Sequence, residues 1–165
     1  MTVVTRLMVA AAMLALSGCW GGKAVFPASE SVQPLPPGLY RLFDSERDFP
    51  DVRASVEENG LTRVYEDSVL GFVPLDNSNR LFVAWVDSEG FEPGSVLYLL
   101  MERRSDREFL FYYPVCEGRS VRLASRDNPG LPAGTCELES ADEIRAGMSG
   151  LSPGPENVAA RLVAR

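Results

Sequence analysis

The sequence contains no histidine, only three cysteines, and a single lysine, Lys23. Histidine is the usual general base of Ser-His-Asp and Cys-His hydrolases and a common zinc ligand. Its absence excludes those hydrolases, His-ligated zinc and histidine-based acid–base catalysis. The sequence points to no catalytic residue, no metal site and no cofactor.

Long hydrophobic runs are also lacking. The longest in the N-terminal region, residues 7–16, is shorter than the roughly 20 residues that a membrane-spanning helix needs. Arg6 precedes it, and the small residues Ser17 and Gly18 follow it before Cys19. A charged start, a short apolar run and small residues are typical of an export signal.

The order Leu16, Ser17, Gly18, Cys19 resembles the lipobox of bacterial lipoproteins. In that family the cysteine thiol receives a diacylglycerol, the chain is cut just before the cysteine, and the new amine is acylated. The resemblance implies that residues 1–18 are a signal peptide and that Cys19 anchors the mature chain in a membrane. The alternatives are an ordinary signal peptide with Cys19 there by chance, or a short membrane helix.

Trp20 follows the lipobox. In lipoproteins of enteric Gram-negative bacteria, an Asp at this place retains the protein in the inner membrane. The resemblance therefore implies the periplasmic face of the outer membrane for a Gram-negative source, and the choice between inner and outer membrane is otherwise open.

Removal of 18 residues from the 165 leaves 147, which is enough for one domain with a sizeable core. Arg6 leaves with the signal, so 15 basic residues remain against 23 acidic ones, a net charge of −8. An acidic domain is repelled by phosphate backbones, so nucleic acid is a poor partner.

With Cys19 lipidated, Cys116 and Cys136 remain. Two cysteines in an exported chain most simply form a disulfide. The closed loop of about 20 residues would contribute roughly 3 kcal/mol of stability on the chain-entropy model. The alternative, two free thiols with a redox role, lacks the Cys-x-x-Cys spacing.

Residues 19–38 are rich in proline and glycine, which predicts an extended tether. Residues 39–165 are predicted to form a single β-rich domain. Its strands are expected at 39–43, 52–57, 61–65, 69–75, 80–86, 95–103 and 108–115. Residues 117–135 are polar and turn-rich and are expected to form a loop.

Asn59-Gly60 separates two of these runs, which predicts a hairpin turn with positive φ at both residues rather than a helix over 50–58. Ser140 and Glu143 form a capping box and predict a helix over 141–148 that docks Ile144 and Met148 on the sheet. Residues 157–164 fit a strand or a terminal helix, and their alternation favours a strand. We expect a mainly β fold, α+β at the margin: a small antiparallel sandwich or partly open barrel with one short helix near the C-terminus.

Carboxylates near the predicted turns are candidates for a cell-wall sugar hydrolase, which needs two such groups roughly 5–9.5 Å apart. Turn positions favour solvated charge instead. The residues concerned are Glu57, Glu58, Glu66, Asp67, Asp87, Glu89 and Glu92. An acidic loop that starts at Asp44 lacks the Gly and Glu of a calcium-binding loop.

Two further groups allow a structural or a functional interpretation. Arg103, Arg104 and Arg107 form a basic turn that either keeps sheet edges apart or contacts an acidic partner. The aromatic residues of 109–113 fit core packing better than a ligand platform. These are Phe109, Phe111, Tyr112 and Tyr113.

Three functions fit the sequence. The first and preferred one is a non-catalytic, membrane-anchored envelope lipoprotein that binds another envelope protein or assists assembly. The second is a small β-barrel that holds a lipid or other apolar ligand. The third is a histidine-free, carboxylate-based hydrolase of the cell wall.

Overall fold

A computed structural model describes residues 20–44, 49–65, 67–125 and 138–165. Over these residues the chain is mainly β, with one α-helix. The strands are β1 (Trp20–Lys23), β2 (Gly38–Asp44), β3 (Val52–Val56), β4 (Thr62–Tyr65), β5 (Ser68–Pro74), β6 (Leu81–Ser88), β7 (Ser95–Arg103), β8 (Glu108–Tyr112), β9 (Pro114–Glu117), β10 (Ser120–Leu123) and β11 (Val158–Ala164), and the helix is α1 (Ala141–Ser149).

Eight strands form a closed antiparallel barrel. From β2 to β8 each strand pairs with the next, and β11 completes the circle between β8 and β2. Closure pairs the sheet edges that an open sheet would leave free. The predicted mainly β, antiparallel fold is confirmed, and of the two expected architectures the barrel is the one present, closed rather than partly open.

Buried side chains separate into an interior cluster and an outer cluster. In β7, Leu99 and Met101 belong to the interior cluster, whereas Tyr98 and Leu100 belong to the outer cluster. This alternation follows from the two-residue period of a strand. All eight barrel strands contribute to the interior cluster, which is therefore the inside of the barrel. The residues that the eight strands supply include the buried Tyr40, Ala54, Phe72, Phe82, Leu99, Phe109 and Leu162, and the partly buried Val64 that packs against them.

The outer cluster lies between the barrel wall and the elements that cover it. α1 contributes Ile144 and Met148, which are 1% and 0% exposed, as the helical spacing predicts. The predicted capping box is present, because Ser140 accepts from the Glu143 amide and the Glu143 carboxylate accepts from the Ser140 amide. The cap fixes where α1 begins, and the two apolar side chains fix which face it presents.

The N-terminal segment, residues 20–37, lies along the barrel. β1 pairs with the first half of β7, on the same edge that β8 pairs with farther along. Phe26 is buried, with its ring 6.0 Å from the Tyr98 ring in an edge-to-face contact. Leu35 is fully buried in the interior cluster, and Gln33 donates to the carbonyl of Gly60. The part of the predicted tether that the structure describes is therefore packed on the domain.

The predicted hairpin around Asn59-Gly60 is confirmed, because β3 pairs with β4. The expectation of two positive φ angles is wrong. Only Gly60 has one (84°), and the Asn59 side chain instead accepts a hydrogen bond from the Leu61 amide at 3.0 Å. A turn with a single left-handed glycine closes this hairpin.

Two other segments differ in how well the sequence predicted them. Residues 158–164 form β11, so the alternation in this segment correctly favours a strand. The expected loop after residue 117 instead holds β10, which pairs with β9 as a separate hairpin. Among the described residues, no helix has both the length and the apolar character needed to cross a membrane.

Candidate functional site

The lipobox and one of the remaining cysteines lie outside the described residues. Residues 16–19 and Cys136 belong to this part of the chain. Cys116 lies on β9 and is 6% exposed within the outer cluster. Lipidation of Cys19 and the pairing of Cys116 with Cys136 therefore stay predictions.

The candidate carboxylates that the structure describes are exposed, except for the half-buried Glu57. Glu57 forms an ion pair with Arg63 at 2.7 Å, whereas Asp87, Glu89 and Glu92 are exposed near the β6–β7 turn. Glu66 lies outside the described residues. No group of three or more metal-ligating side chains occurs in the part of the chain that the structure describes.

Four carboxyl groups have a lowered pKa, which disfavours the protonated form that a general acid needs. Within the described residues these are Glu57, Asp76, Glu102 and Glu143, and the pKa of each is lowered. A cell-wall hydrolase needs one carboxyl with a raised pKa. None of these four carboxyls meets that requirement.

Glu102 is the one buried carboxylate among the described residues, at 1% exposure. It accepts from Arg80 at 2.6 Å and from the Tyr112 hydroxyl at 2.6 Å, and it pairs with Arg104 at 3.0 Å. Burial acts to raise the pKa of Glu102, but the hydrogen bonds from Tyr112 and Arg80 and the nearby arginine charges outweigh it and lower the pKa. Burial and the bond to Glu102 raise the pKa of Tyr112. Both carboxylate oxygens of Glu102 are engaged with protein groups, so we interpret this as a structural network.

The aromatic residues of β8 do not form a ligand platform. Phe109 and Phe111 belong to the interior cluster, whereas Tyr112 belongs to the outer cluster. The rings therefore lie on opposite sides of the barrel wall. Core packing, the interpretation that the sequence favoured, is confirmed.

An open groove of about 460 Å³ lies on the outer wall, across β8, β11 and β2. We call it the arginine groove. Outward residues of the three strands line it in register, because Phe43 is opposite Arg161 and Arg41 is opposite Val163. The lining consists of Arg41, Phe43, Ser105, Arg107, Glu108, Arg161, Val163, Ala164 and Arg165.

Aromatic and polar contacts hold the arginines in place. The guanidinium carbons of Arg161 and Arg41 lie 4.6 and 5.8 Å from the centre of the Phe43 ring. Arg107 donates to the carbonyl of Ala164 at 3.3 Å. These contacts orient the guanidinium groups and leave part of each group in solvent.

Two side-chain carboxylates in the described residues oppose this charge. Glu108 lies 3.5 Å from Arg161, and Asp51 lies 2.8 Å from Arg165. Four arginine side chains therefore meet two side-chain carboxylates and the α-carboxylate of Arg165, in a chain whose total charge is −7. The groove is locally positive.

Only part of this groove was visible in the sequence. Of the predicted basic turn, Arg107 lines the groove, whereas Arg103 pairs with Asp106 and Arg104 pairs with Glu102. The other arginines come from β2 and from the end of the chain. The signal that could have found them is the alternation of charged and apolar residues in β2 and β11, but the sequence does not place these strands side by side.

Comparison of the chain with protein-family models, with curated proteins and with solved structures finds no match. The residues of the barrel itself are therefore the basis of the function proposed below.

Proposed function

We propose that the mature chain is a non-catalytic lipoprotein of the bacterial cell envelope that binds another envelope protein or assists its assembly. The observation that carries the binding role is the occupied interior of the barrel. Large side chains that are less than 2% exposed fill it. They include Phe72, Phe82, Met101 and Phe109.

A filled interior disfavours the alternative of an internal apolar ligand. Small-molecule sites usually have a volume of about 300–1,000 Å³ and enclose most of the ligand. Eight-stranded barrels are narrow enough for side chains to fill them completely. Leu35, which is 0% exposed, adds a further side chain to the interior cluster from outside the strands. The accessible outer wall is therefore the better candidate for binding.

The envelope location rests on the resemblance of residues 16–19 to a lipobox. Trp20, the first residue of β1, directly follows Cys19. Consecutive Cα atoms are about 3.8 Å apart, so acyl chains on Cys19 would begin beside the barrel rather than at the end of a long spacer. Under this proposal the barrel is held close to the membrane surface.

The anchor is tested by Cys19→Ser in the source bacterium. We expect the variant to lose the mass increase from acylation and to leave the membrane pellet. Cys136→Ser is the matched control and should keep both properties. A Cys19→Ser product with unchanged mass and unchanged pelleting would overturn the proposed location.

The partner is tested by crosslinking in whole cells, purification of the chain and mass spectrometry. Recovery of one stoichiometric envelope protein is expected. Native mass spectrometry of the purified chain addresses the alternative, since a second lipid bound without a covalent link, and no protein partner, would favour a ligand-binding barrel.

A further inference from the structure

We propose that the arginine groove is the partner-binding site and that it receives an acidic segment of another protein, with Asp or Glu carboxylates on the guanidinium groups. The inference rests on the proposed function and adds the place and the chemistry of the contact. It depends on the arrangement of the arginines, the charge balance of the groove and the shape of its floor.

The arginines are arranged to receive carboxylates. The guanidinium carbons of Arg161 and Arg41 lie over the Phe43 ring, and that of Arg161 is the closer one. A guanidinium group stacked on a ring keeps its N–H edges available, and two parallel N–H groups match the two oxygens of a carboxylate. Because the ring already restricts these side chains, less conformational entropy is lost when a carboxylate binds.

The existing ion pair in the groove is open to competition. Arg161 and Glu108 are 45% and 37% exposed and lie 3.5 Å apart. Exposed pairs of this kind contribute only about 0–1 kcal/mol. A carboxylate from a partner can therefore share or replace Glu108 at low cost. Arg41 and Arg107 have no carboxylate within ion-pair distance in the described part of the chain.

The shape of the groove suits a polypeptide. Val163 gives it a short apolar side chain between the arginines, and Ala164, whose side chain packs against the interior cluster, borders it with its backbone carbonyl. The methylene groups of Asp or Glu can pack there while their carboxylates reach the rim. A volume of about 460 Å³ that is open to solvent accepts a few side chains of an extended segment.

Net charge favours a protein segment over an anionic membrane. The proposed mature chain carries −8, so its approach to a broad negative surface is unfavourable. An acidic segment of a protein, by contrast, brings its carboxylates only to the groove and not to the rest of the acidic surface. Local positive charge then accelerates and orients the encounter, and added salt weakens it.

The test uses the full chain, purified in a neutral detergent, and a short fluorescein-labelled peptide in which Glu alternates with Ser. Fluorescence anisotropy should show saturable binding that weakens as salt is added. A peptide with Gln in place of each Glu should not bind. In the double variant Arg41→Gln/Arg161→Gln, affinity should fall about tenfold or more.

Arg122→Gln is the matched control, because Arg122 is exposed on β10, away from the groove. It removes one positive charge, as many as Arg107→Gln and half as many as the double variant, and should leave the affinity within about twofold. Arg107→Gln provides a second groove variant if the double variant unfolds, which thermal unfolding would reveal. Equal weakening by Arg122→Gln would overturn the proposal, because the attraction would then lack a defined site.

Three other outcomes would also overturn it. The first is that the peptide does not bind. The second is that phosphatidylglycerol added to the micelles displaces the peptide and binds in its place. The third is that copies of this chain associate with one another through the groove in a salt-sensitive manner. Crosslinking in whole cells distinguishes a failure of the groove proposal from a failure of the proposed function. A partner that is recovered equally with the Arg41→Gln/Arg161→Gln variant would leave the proposed function standing and remove the groove from it.

Discussion

Gly71 on β5 lies directly opposite Trp85 on β6, and the glycine makes room for the indole. A Cβ atom added at Gly71 would lie 2.2 Å from Cε2 of Trp85. Real Cβ atoms do not approach other atoms so closely, so any side chain here must displace the ring. Trp85 is 6% exposed in the outer cluster, where neighbouring side chains limit such movement.

We therefore expect Gly71→Ala to destabilise the barrel by about 1–3 kcal/mol, the usual cost of overpacking. Urea unfolding measures the loss. Gly90→Ala is the control, because nothing lies within 4 Å of a Cβ at Gly90. If the clash is the cause, Gly71→Ala should cost less in a Trp85→Phe background. An unchanged unfolding midpoint for Gly71→Ala would contradict the close approach.

Glu102 ties the ends of β6, β7 and β8 together through Arg80 and Tyr112. Glu102→Gln removes the charge from this network and should cost about 1.5–3 kcal/mol at neutral pH, the range for hydrogen bonds to a charged group. Glu92→Gln, at an exposed position, should cost far less.

The cost of Glu102→Gln should depend on pH. The pKa of Glu102 in the folded chain lies below its ordinary value of 4.5, so the carboxylate stabilises the fold fully above pH 4.5. This stabilisation is lost as the pH falls through the folded pKa. Unfolding free energies of the wild type and the variant should therefore converge in acid, and a difference that stays constant from pH 7 into acid would contradict the charged network.

Glu143 at the start of α1 gives a second pH prediction. Its carboxylate accepts from the Glu139 amide, its largest pKa-lowering contact, and from Arg119, and its pKa falls to about 2. The stabilisation that this lowering provides is complete above the ordinary value of 4.5 and disappears as the pH falls towards 2. An NMR titration of the Glu143 carboxyl should have its midpoint near pH 2, and Arg119→Gln should raise it. A midpoint near 4.5 in the wild type would show that the cap contacts do not form.

The elements that the sequence predicted are those with a local signal. Continuous apolar runs mark β6, β7 and β8, and two-residue alternation marks β3 and β11. Gly60 supplies the left-handed turn residue, and the pair of Ser140 and Glu143 marks the helix start. Each signal lies within a few residues of the structure it predicts. Such patterns predict which face of a strand or helix is apolar and where that strand or helix begins.

Barrel closure and the arginine groove depend on register between distant segments. Phe43 and Arg161 meet because β11 pairs with β2, and nothing near either residue encodes that pairing. The β9–β10 hairpin was missed for a related reason, since Ser120–Leu123 is short and only half-buried. The composition of residues 19–38 predicts a tether, because proline and glycine disfavour regular structure. These residues do not prevent packing on a neighbouring surface, and the described part of the segment packs on the barrel.

Leu35 provides the test of whether that N-terminal segment is part of the folded domain. Its side chain is 0% exposed and packs in the interior cluster, so Leu35→Ala should leave a cavity and destabilise the barrel by about 2–5 kcal/mol. Val32→Ala is the matched control in the same segment, because Val32 is 37% exposed and should change stability by less than about 0.5 kcal/mol. Urea unfolding of both variants makes the comparison. Equal midpoints for Leu35→Ala and the wild type would show that the segment is a spacer and that the domain begins at β2, whereas the expected loss makes the segment part of the barrel's core.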